Sequence, residues 1–403
     1  MSNKEIVVLT INSGSSSIKF AIYKLNSQEE RLFTGKLERI GQSDGRFVIY
    51  DQHNNKIVEE NTLDLKSHEA SFEKLFKSLK KHLSATHIDA IGHRILNGGK
   101  TYQQPHVITQ TLMNTLYVLK DYDLEHLPNE IKGIELANHY YPNLLQVACF
   151  DTSFHRSMPD VAELYAIPRN FTDEGIIRYG FHGLSYEFVL EKLNKLESNC
   201  NRKQKVIIAH LGNGASMAAI KENKCIDTSM GFTPTSGLVM STRCGDIDPG
   251  ILYFLSQNKK LSVSSVFKLL NENSGLKGVS TKTGDMEDLL KLASTDKYAE
   301  EAIRLFCYSA KKYVGSYVAA LGGLDTLIFT GGIGENAPRI RTDICQNLDC
   351  FGLELDEALN GENAAIISSR TSQVVIRMIP TNEELMIARH TARICLLDNC
   401  IQG

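Results

Sequence analysis

The feature that most constrains this chain is a pattern that occurs twice. Glu5 to Tyr23 reads E-I-V-V-L-T-I-N-S-G-S-S-S-I-K-F-A-I-Y, and Lys205 to Lys221 reads K-V-I-I-A-H-L-G-N-G-A-S-M-A-A-I-K. Each is an apolar run, a tight turn of glycine and small polar residues, and a second apolar run, which is the signature of strand, turn and strand. Glycine lets backbone approach a ligand closely, and the N–H groups and hydroxyls of such a turn suit a phosphate-sized anion. Taken alone, Ser13 to Ser17 fits an ordinary serine-rich hairpin equally well, with Lys19 as a neighbouring charge. The recurrence favours a chain built twice, each half presenting backbone donors toward a shared cleft.

A length of 403 residues suggests two or three domains with sizeable cores. With 42% hydrophobic and 23% charged residues and a net charge of -3, neither disorder nor nucleic-acid binding is expected, and small-molecule chemistry is. No apolar run approaches the ~18 residues of a membrane span and no apolar leader follows Met1, so a cytoplasmic protein is expected. The nine cysteines are scattered, without C-x-x-C or zinc-like spacing. Pairing of Cys345 with Cys350, or of Cys395 with Cys400, is disfavoured in a reducing compartment.

Further glycine-punctuated strands are expected between Arg31 and Tyr50. Phe72, Leu75, Phe76, Leu79 and Leu83 then share one helical face. Ala90 to Gly99 is a short strand broken by His93 and Arg94 and closed by two glycines. Here His93 fits a core histidine, while Arg94 is either a surface ion pair or a grip on a substrate oxyanion. Asp121 to Glu130 leads through Pro128 into a helix near Ile131 to Tyr140. Asp151 closes an apolar strand, where a carboxylate caps a turn or serves chemistry. His182 lies between glycines before a helix starting near Ser185. Asp227 to Gly250 is longer than a connector needs and carries Arg243, with Asp246 and Asp248 as braces. A long helix, Lys297 to Leu321, stops at Gly322 and Gly323. Leu324 to Asn336 is a buried strand running into a third glycine-rich turn, G-G-I-G-E-N, which matches neither a dinucleotide fingerprint nor a P-loop. Thr381 and Glu384 have capping-box spacing, which leaves Glu383 free.

Together these blocks resemble the acetate kinases, within the acetate and sugar kinase, Hsp70 and actin group. The resemblance runs nearly end to end: N-S-G-S-S-S-I-K (12–19), G-H-R (92–94), F-D-T-S-F-H (150–155), R-Y-G-F-H-G (178–183), H-L-G-N-G-A-S (210–216), D-T-S-M-G-F-T-P (227–234), T-R-C-G-D-I-D-P (242–249), G-I-G-E-N (332–336) and I-P-T-N-E-E-L (379–385). It implies an α/β protein with a duplicated, two-domain ribonuclease H-like (actin-like ATPase) fold and an interdomain cleft. Residues 1–152 with 385–403 would bind acyl group and phosphate, and 153–384 would bind nucleotide and dimerise. The activity implied is reversible transfer of the ATP γ-phosphoryl group to acetate, giving acetyl phosphate and ADP, with Mg²⁺ or Mn²⁺, in a homodimer.

By the same resemblance, Arg94 and Arg243 hold carboxylate and phosphoryl group, His182 donates to the phosphoryl oxygens, and Asp151 orients acceptor or metal water. Asn12 and Glu383 would anchor the metal. Leu96, Glu125, His126, Phe181 and Pro234 would contact the acyl substrate. Lys19, His210, Leu211, Gly212, Asn213, Gly214, Asp285, Met286, Glu287, Gly332, Ile333, Gly334, Glu335 and Asn336 would surround the nucleotide. The family pattern usually has His at Asn97, Thr-Ser-His at Leu184-Ser185-Tyr186, Arg at Glu287, Leu at Glu125 and Val at Leu96. These departures open propionate or another short acid as substrate, and pyrophosphate as donor. A non-catalytic ATP-binding module is disfavoured, because Arg94, Asp151, His182, Arg243 and Glu383 are all present.

Overall fold

The computed structural model describes residues 5–14, 16–120, 126–197 and 204–402. It divides into two compact units, Met1–Ser153 with Asn382–Gly403, and Phe154–Thr381. Unit 1 holds strands β1 (Ile6–Ser13), β2 (Ser17–Leu25), β3 (Glu29–Glu38), β4 (Gly45–Asp51), β5 (Lys56–Leu63), β6 (Ala90–Ile95), β7 (His106–Val107) and β8 (Leu145–Phe150). Unit 2 holds β9 (Lys205–Leu211), β10 (Ala215–Lys221), β11 (Lys224–Thr228), β12 (Thr326–Thr330) and β13 (Val375–Met378).

Both repeats form antiparallel hairpins, β1 with β2 and β9 with β10. The duplication extends to topology. The inner strands of unit 1 run β3-β2-β1-β6-β8, and the unit 2 sheet runs β11-β10-β9-β12-β13. In each, the first strand of the hairpin also pairs in parallel with the strand beyond it, β1 with β6 and β9 with β12. Such central strands are covered on both faces, which explains their nearly continuous apolar runs.

Periodicity located the helix His68–His82. Ser67 Oγ accepts from Ala70 N–H at its start, and Phe72, Leu75, Phe76 and Leu79 are buried. Lys297–Leu321 is a single helix ended by Gly322 in the left-handed region, at φ 69°. Two boundaries move: the helices expected near Ile131 and Ser185 begin at Leu127 and Gly183. The C-terminal helix, Glu383–Gln402, packs on β1, β6 and β8. Gly92 admits it, since a Cβ there would lie 2.3 Å from Thr391 Oγ1.

The capping box at Thr381 and Glu384 does not form. Asn382 Oδ1 accepts from Leu385 N–H at 2.9 Å, so Asn382 caps the helix, and Thr381 N–H donates to Glu335 Oε1 at 3.2 Å. Glu384 is instead a half-buried carboxyl whose pKa is raised, first by desolvation and then by Glu383. G-G-I-G-E-N is not an open turn either: Gly331–Asn336 is a short helix. Cys345 and Cys350 are free thiols, Cys395 is buried, and the Cys400 side chain lies outside the described residues.

His93 is the satisfied core histidine. It is 2% exposed, bonds Gln146 Oε1 at 2.8 Å, and burial pulls its pKa to about 4, a shift the Gln146 bond only partly offsets. A folded value below the unfolded one, about 6.5, means the unfolded chain binds the extra proton as pH falls. The stabilisation is therefore complete above pH ~6.5 and lost toward pH ~4, at about 1.4 kcal/mol per pH unit in that window. Urea titrations of wild type and His93→Gln between pH 7 and 4.5 should show the steeper acid loss in wild type. Parallel slopes would remove His93 from the acid response.

Candidate functional site

In unit 1 the ends of β1, β6 and β8 bring three sequence-distant residues together. Asn12 is the penultimate residue of β1, Arg94 the penultimate residue of β6, and Asp151 the residue after β8. Because β1, β6 and β8 are parallel neighbours, their C-terminal ends emerge side by side, where open α/β sheets place ligands. Arg94 Nε lies 3.1 Å from both Asp151 carboxylate oxygens, and its Nη2 also donates to Asp151 Oδ2. Nη1 donates to Asn12 Oδ1 at 3.2 Å, and Asn12 Nδ2 donates to Glu383 Oε2 at 3.3 Å. Burial alone would lower the Arg94 pKa. Asp151, helped by Glu383 and Glu130, more than reverses this and holds the guanidinium well above its ordinary value. Arg94 is thus no surface ion pair but a permanent cation braced on one side by a buried carboxylate.

Leu96 and Asn97 follow directly. Leu96 N–H donates to Glu130 Oε2 at 3.0 Å, and Asn97 Oδ1 accepts from Gly99 N–H at 2.8 Å, shaping the Gly-Gly turn. His126 is buried at the start of the helix Leu127–Tyr140, and Glu125 lies outside the described residues. Lys19 is exposed on β2 and pairs in register with Asn12. The opening turn uses some of its donors internally: Gly14 N–H bonds Ser17 O at 2.8 Å, and the His68 ring lies 2.8 Å from Gly14 O.

Unit 2 assembles a second constellation. His182 sits at φ 58° immediately before the helix Gly183–Leu196, its ring stacked on that of His210 with centroids 4.3 Å apart. His182 Nδ1 bonds Ser216 Oγ at 2.8 Å, and His210 Nδ1 bonds Ser185 Oγ at 2.8 Å. A Cβ on Gly214 would lie 3.3 Å from His182 Nε2 and 3.8 Å from Arg243 Nη1. Glycine at this position therefore keeps open a spot that two donors border.

The segments read as nucleotide contacts join the same cluster. Ser241 N–H donates to Asn213 O at 3.0 Å, and Ser241 Oγ to Gly284 O at 2.8 Å, tying residues 212–214, 241–243 and 284–287 together. Gly331, at φ 77°, passes against Leu211, where a Cβ would meet Leu211 O at 2.7 Å. The helix Gly331–Asn336 consequently starts beside the β9–β10 turn. Within it, Glu335 Oε1 accepts from Gly331 N–H at 2.9 Å, an internal brace. Asp285 caps the helix Met286–Leu292, and Glu287 is exposed and paired with Lys291 at 2.6 Å. Phe181 O is 2.9 Å from His155 Nε2, away from the Gly214 space, and Pro234 O accepts from Arg243 Nη1 at 3.3 Å. Of the Asp pair, Asp248 caps the helix Pro249–Asn258, while Asp246 braces the loop through Gly237 N–H at 2.8 Å.

The acetokinase family model matches residues 7–389. An acetate kinase of Methylocella silvestris is 39% identical over 97% of this chain and 98% of that protein. The chain belongs to the acetokinase family. Among solved structures, a propionate kinase from Francisella tularensis superposes with a TM-score of 0.88 at 39% identity, over 96% of this chain and 99% of that one. The acetate kinase of Porphyromonas gingivalis gives 0.86 at 34% identity, with the same coverage.

Several residues that touch these constellations were given no role from the sequence. Glu130 is 3% exposed within the apolar stripe Leu127, Ile131, Ile134, Ala137. A carboxylate at a core-facing helical position was the available signal. Ser216 closes the H-L-G-N-G-A-S block and Tyr186 stands where the family pattern has histidine, but the contact between them shows only in the structure.

Proposed function

We propose that this chain is an acetate kinase, moving the γ-phosphoryl group of ATP reversibly to acetate to give acetyl phosphate and ADP. The observation that carries the reading is the convergence of His182 Nε2 and Arg243 Nη1 on the space beside Gly214, in a member of the acetokinase family. A short carboxylic acid ionises near pH ~4, so the nucleophile is already formed at neutral pH and no general base is needed. One carboxylate oxygen attacks the γ-phosphorus in line while the bond to the leaving ADP oxygen breaks. The protein's task is to position the reactants and stabilise spread negative charge.

Arg94 and Arg243 grip the carboxylate and the transferring group. His182 donates to a phosphoryl oxygen, and Asp151 keeps the Arg94 fork aimed. His210 to Gly214, Asp285 to Glu287 and Gly332 to Asn336 border the nucleotide, with Lys19 serving phosphate. The donor chemistry of Asn12 and Glu383 suits Mg²⁺, a hard cation that takes few protein oxygens and keeps water and phosphate as its other ligands. Among the described residues no group of three His, Cys, Asp or Glu is arranged to hold an ion. Bound there, Mg²⁺ or Mn²⁺ supplies neutralisation of phosphate charge.

Acyl phosphate trapped as hydroxamate, with ATP and acetate, propionate or butyrate, tests the reading. Acetate should be the best acceptor. No acyl phosphate from any acid would overturn the kinase reading, and activity with pyrophosphate alone would replace ATP as donor. Propionate is the second reading, carried by the likeness to the Francisella enzyme and by Leu96 at the acyl position.

We also propose a cytoplasmic homodimer formed through unit 2. The helix Pro249–Asn258 has no buried residue, and Tyr253 (71%), Phe254 (49%) and, on the next helix, Val263 (81%) are exposed. Such a patch is characteristic of an interaction surface. Replacing Tyr253 and Phe254 with Asp should halve the mass measured by light scattering, and an unchanged mass would place the interface elsewhere.

A further inference from the structure

We propose that Tyr186 is a positioning residue that acts through Ser216 to hold His182 as the neutral tautomer protonated on Nε2, so that the nitrogen beside Gly214 is a standing hydrogen-bond donor. Ser216 Oγ lies between two partners: the Tyr186 hydroxyl bonds it from one side, and His182 Nδ1 lies 2.8 Å away on the other. All of this is inside unit 2, where Tyr186 and Ser216 are fully buried.

The direction of the chain follows from acidity. A phenol is a far stronger acid than an aliphatic alcohol, and imidazole nitrogen is a better acceptor than a phenol oxygen. Phenol therefore donates to the serine oxygen, and the serine proton points to Nδ1. Each bond polarises the next in the same sense. With Nδ1 accepting, the single ring hydrogen of neutral His182 resides on Nε2, the atom 3.3 Å from the Gly214 Cβ position. Stacking on His210, itself held by Ser185, fixes the ring plane. A phosphoryl oxygen needs a donor at that point, and the opposite tautomer would present a lone pair. The family pattern has histidine where this chain has Tyr186.

The kinetic consequence rests on the kinase reading, whereas the tautomer does not, and the test separates them. In full-length protein labelled with ¹⁵N-histidine, with His182 assigned by comparison with His182→Gln, the ring should show the pattern of a neutral imidazole protonated on Nε2. Tyr186→Phe should convert it to a mixture of tautomers and lower kcat roughly tenfold with KM for ATP changed less than about twofold. Tyr186→His should recover most of the lost kcat. An unchanged tautomer in Tyr186→Phe, or Nδ1 protonation in wild type, overturns the proposal, and so does a tautomer mixture with wild-type kcat. Ser216→Ala, read in the same spectra, decides the matter if Tyr186→Phe does not fold. Wild type that forms no acyl phosphate from any acid would overturn the kinase reading while the spectra still report the tautomer.

Discussion

Arg243→Ala is expected to lower kcat by about 10²–10³-fold, the loss typical of deleting one donor to transition-state charge, while the affinity for ATP stays within about threefold. The loop around Arg243 is organised by backbone and does not need the guanidinium. Arg243 O accepts from Met240 N–H at 3.1 Å, Ser241 N–H bonds Asn213 O, and Leu276 and Lys277 N–H bond Met240 O and Ser241 O. The side chain itself donates to Pro234 O and borders the Gly214 space. Removing it should therefore strip charge from the reaction without dissolving the nucleotide-side turns. Arg243→Lys should recover little, since an ammonium lacks the planar fork that spans two oxygens. Steady-state kinetics with ATP binding by calorimetry separates the outcomes. Unchanged turnover, or a loss confined to KM for ATP, would refute the role.

Arg341→Leu is expected to destabilise unit 2 by about 3–5 kcal/mol, the cost of leaving two or three buried acceptors without donors at ~1–3 kcal/mol each. Arg341 is fully buried among neutral partners. Its Nε donates to Asn360 Oδ1 at 2.7 Å, and Nη1 to Gly334 O at 2.8 Å and Glu335 O at 3.1 Å. Nη2 donates to Asn360 O at 2.8 Å and Asn363 Oδ1 at 2.6 Å. Burial lowers its pKa, with only a small opposing effect from Cys345. The side chain thus ties down the last carbonyls of the short helix Gly331–Asn336, which could not hold its shape by helical hydrogen bonding alone. Leucine would fill part of the volume and leave buried carbonyls without donors, each a serious cost. Lysine should not rescue, because three donors on a flexible stem cannot cover five acceptors in a plane. Circular dichroism in urea measures the loss, and amide exchange at residues 331–336 should rise in parallel. Stability within about 1 kcal/mol of wild type would show that the helix is held by other means.

The placement of these arginines shows where sequence reading reached and where it stopped. Arg243 was singled out because it sat in a loop too long and polar to be a connector. Arg341 was passed over because, in P-R-I-R-T-D, it looks like one more surface cation on an amphipathic helix. Only the arrangement of Asn360 and Asn363 around it makes it a core residue. The failed capping box has a related cause. Thr381 and Glu384 have the right spacing, but Asn382 is an equally good cap one residue later, and backbone direction at the helix start chose between them.

By itself, the sequence determined the duplicated strand-turn-strand units and the long helices with their buried faces, and it supplied the candidates for phosphate chemistry. These depend on local periodicity and on side-chain chemistry within a few residues, which the chain states directly. The tertiary structure alone decided the pairings. Asp151 takes the Arg94 fork from 57 positions away, and Glu383 reaches Asn12 from 371 away. Glu130 turns inward to Leu96, and Tyr186 meets His182 through Ser216. Pairings of this kind depend on which strand ends emerge side by side and which turns stack, and nothing within one element records its neighbour.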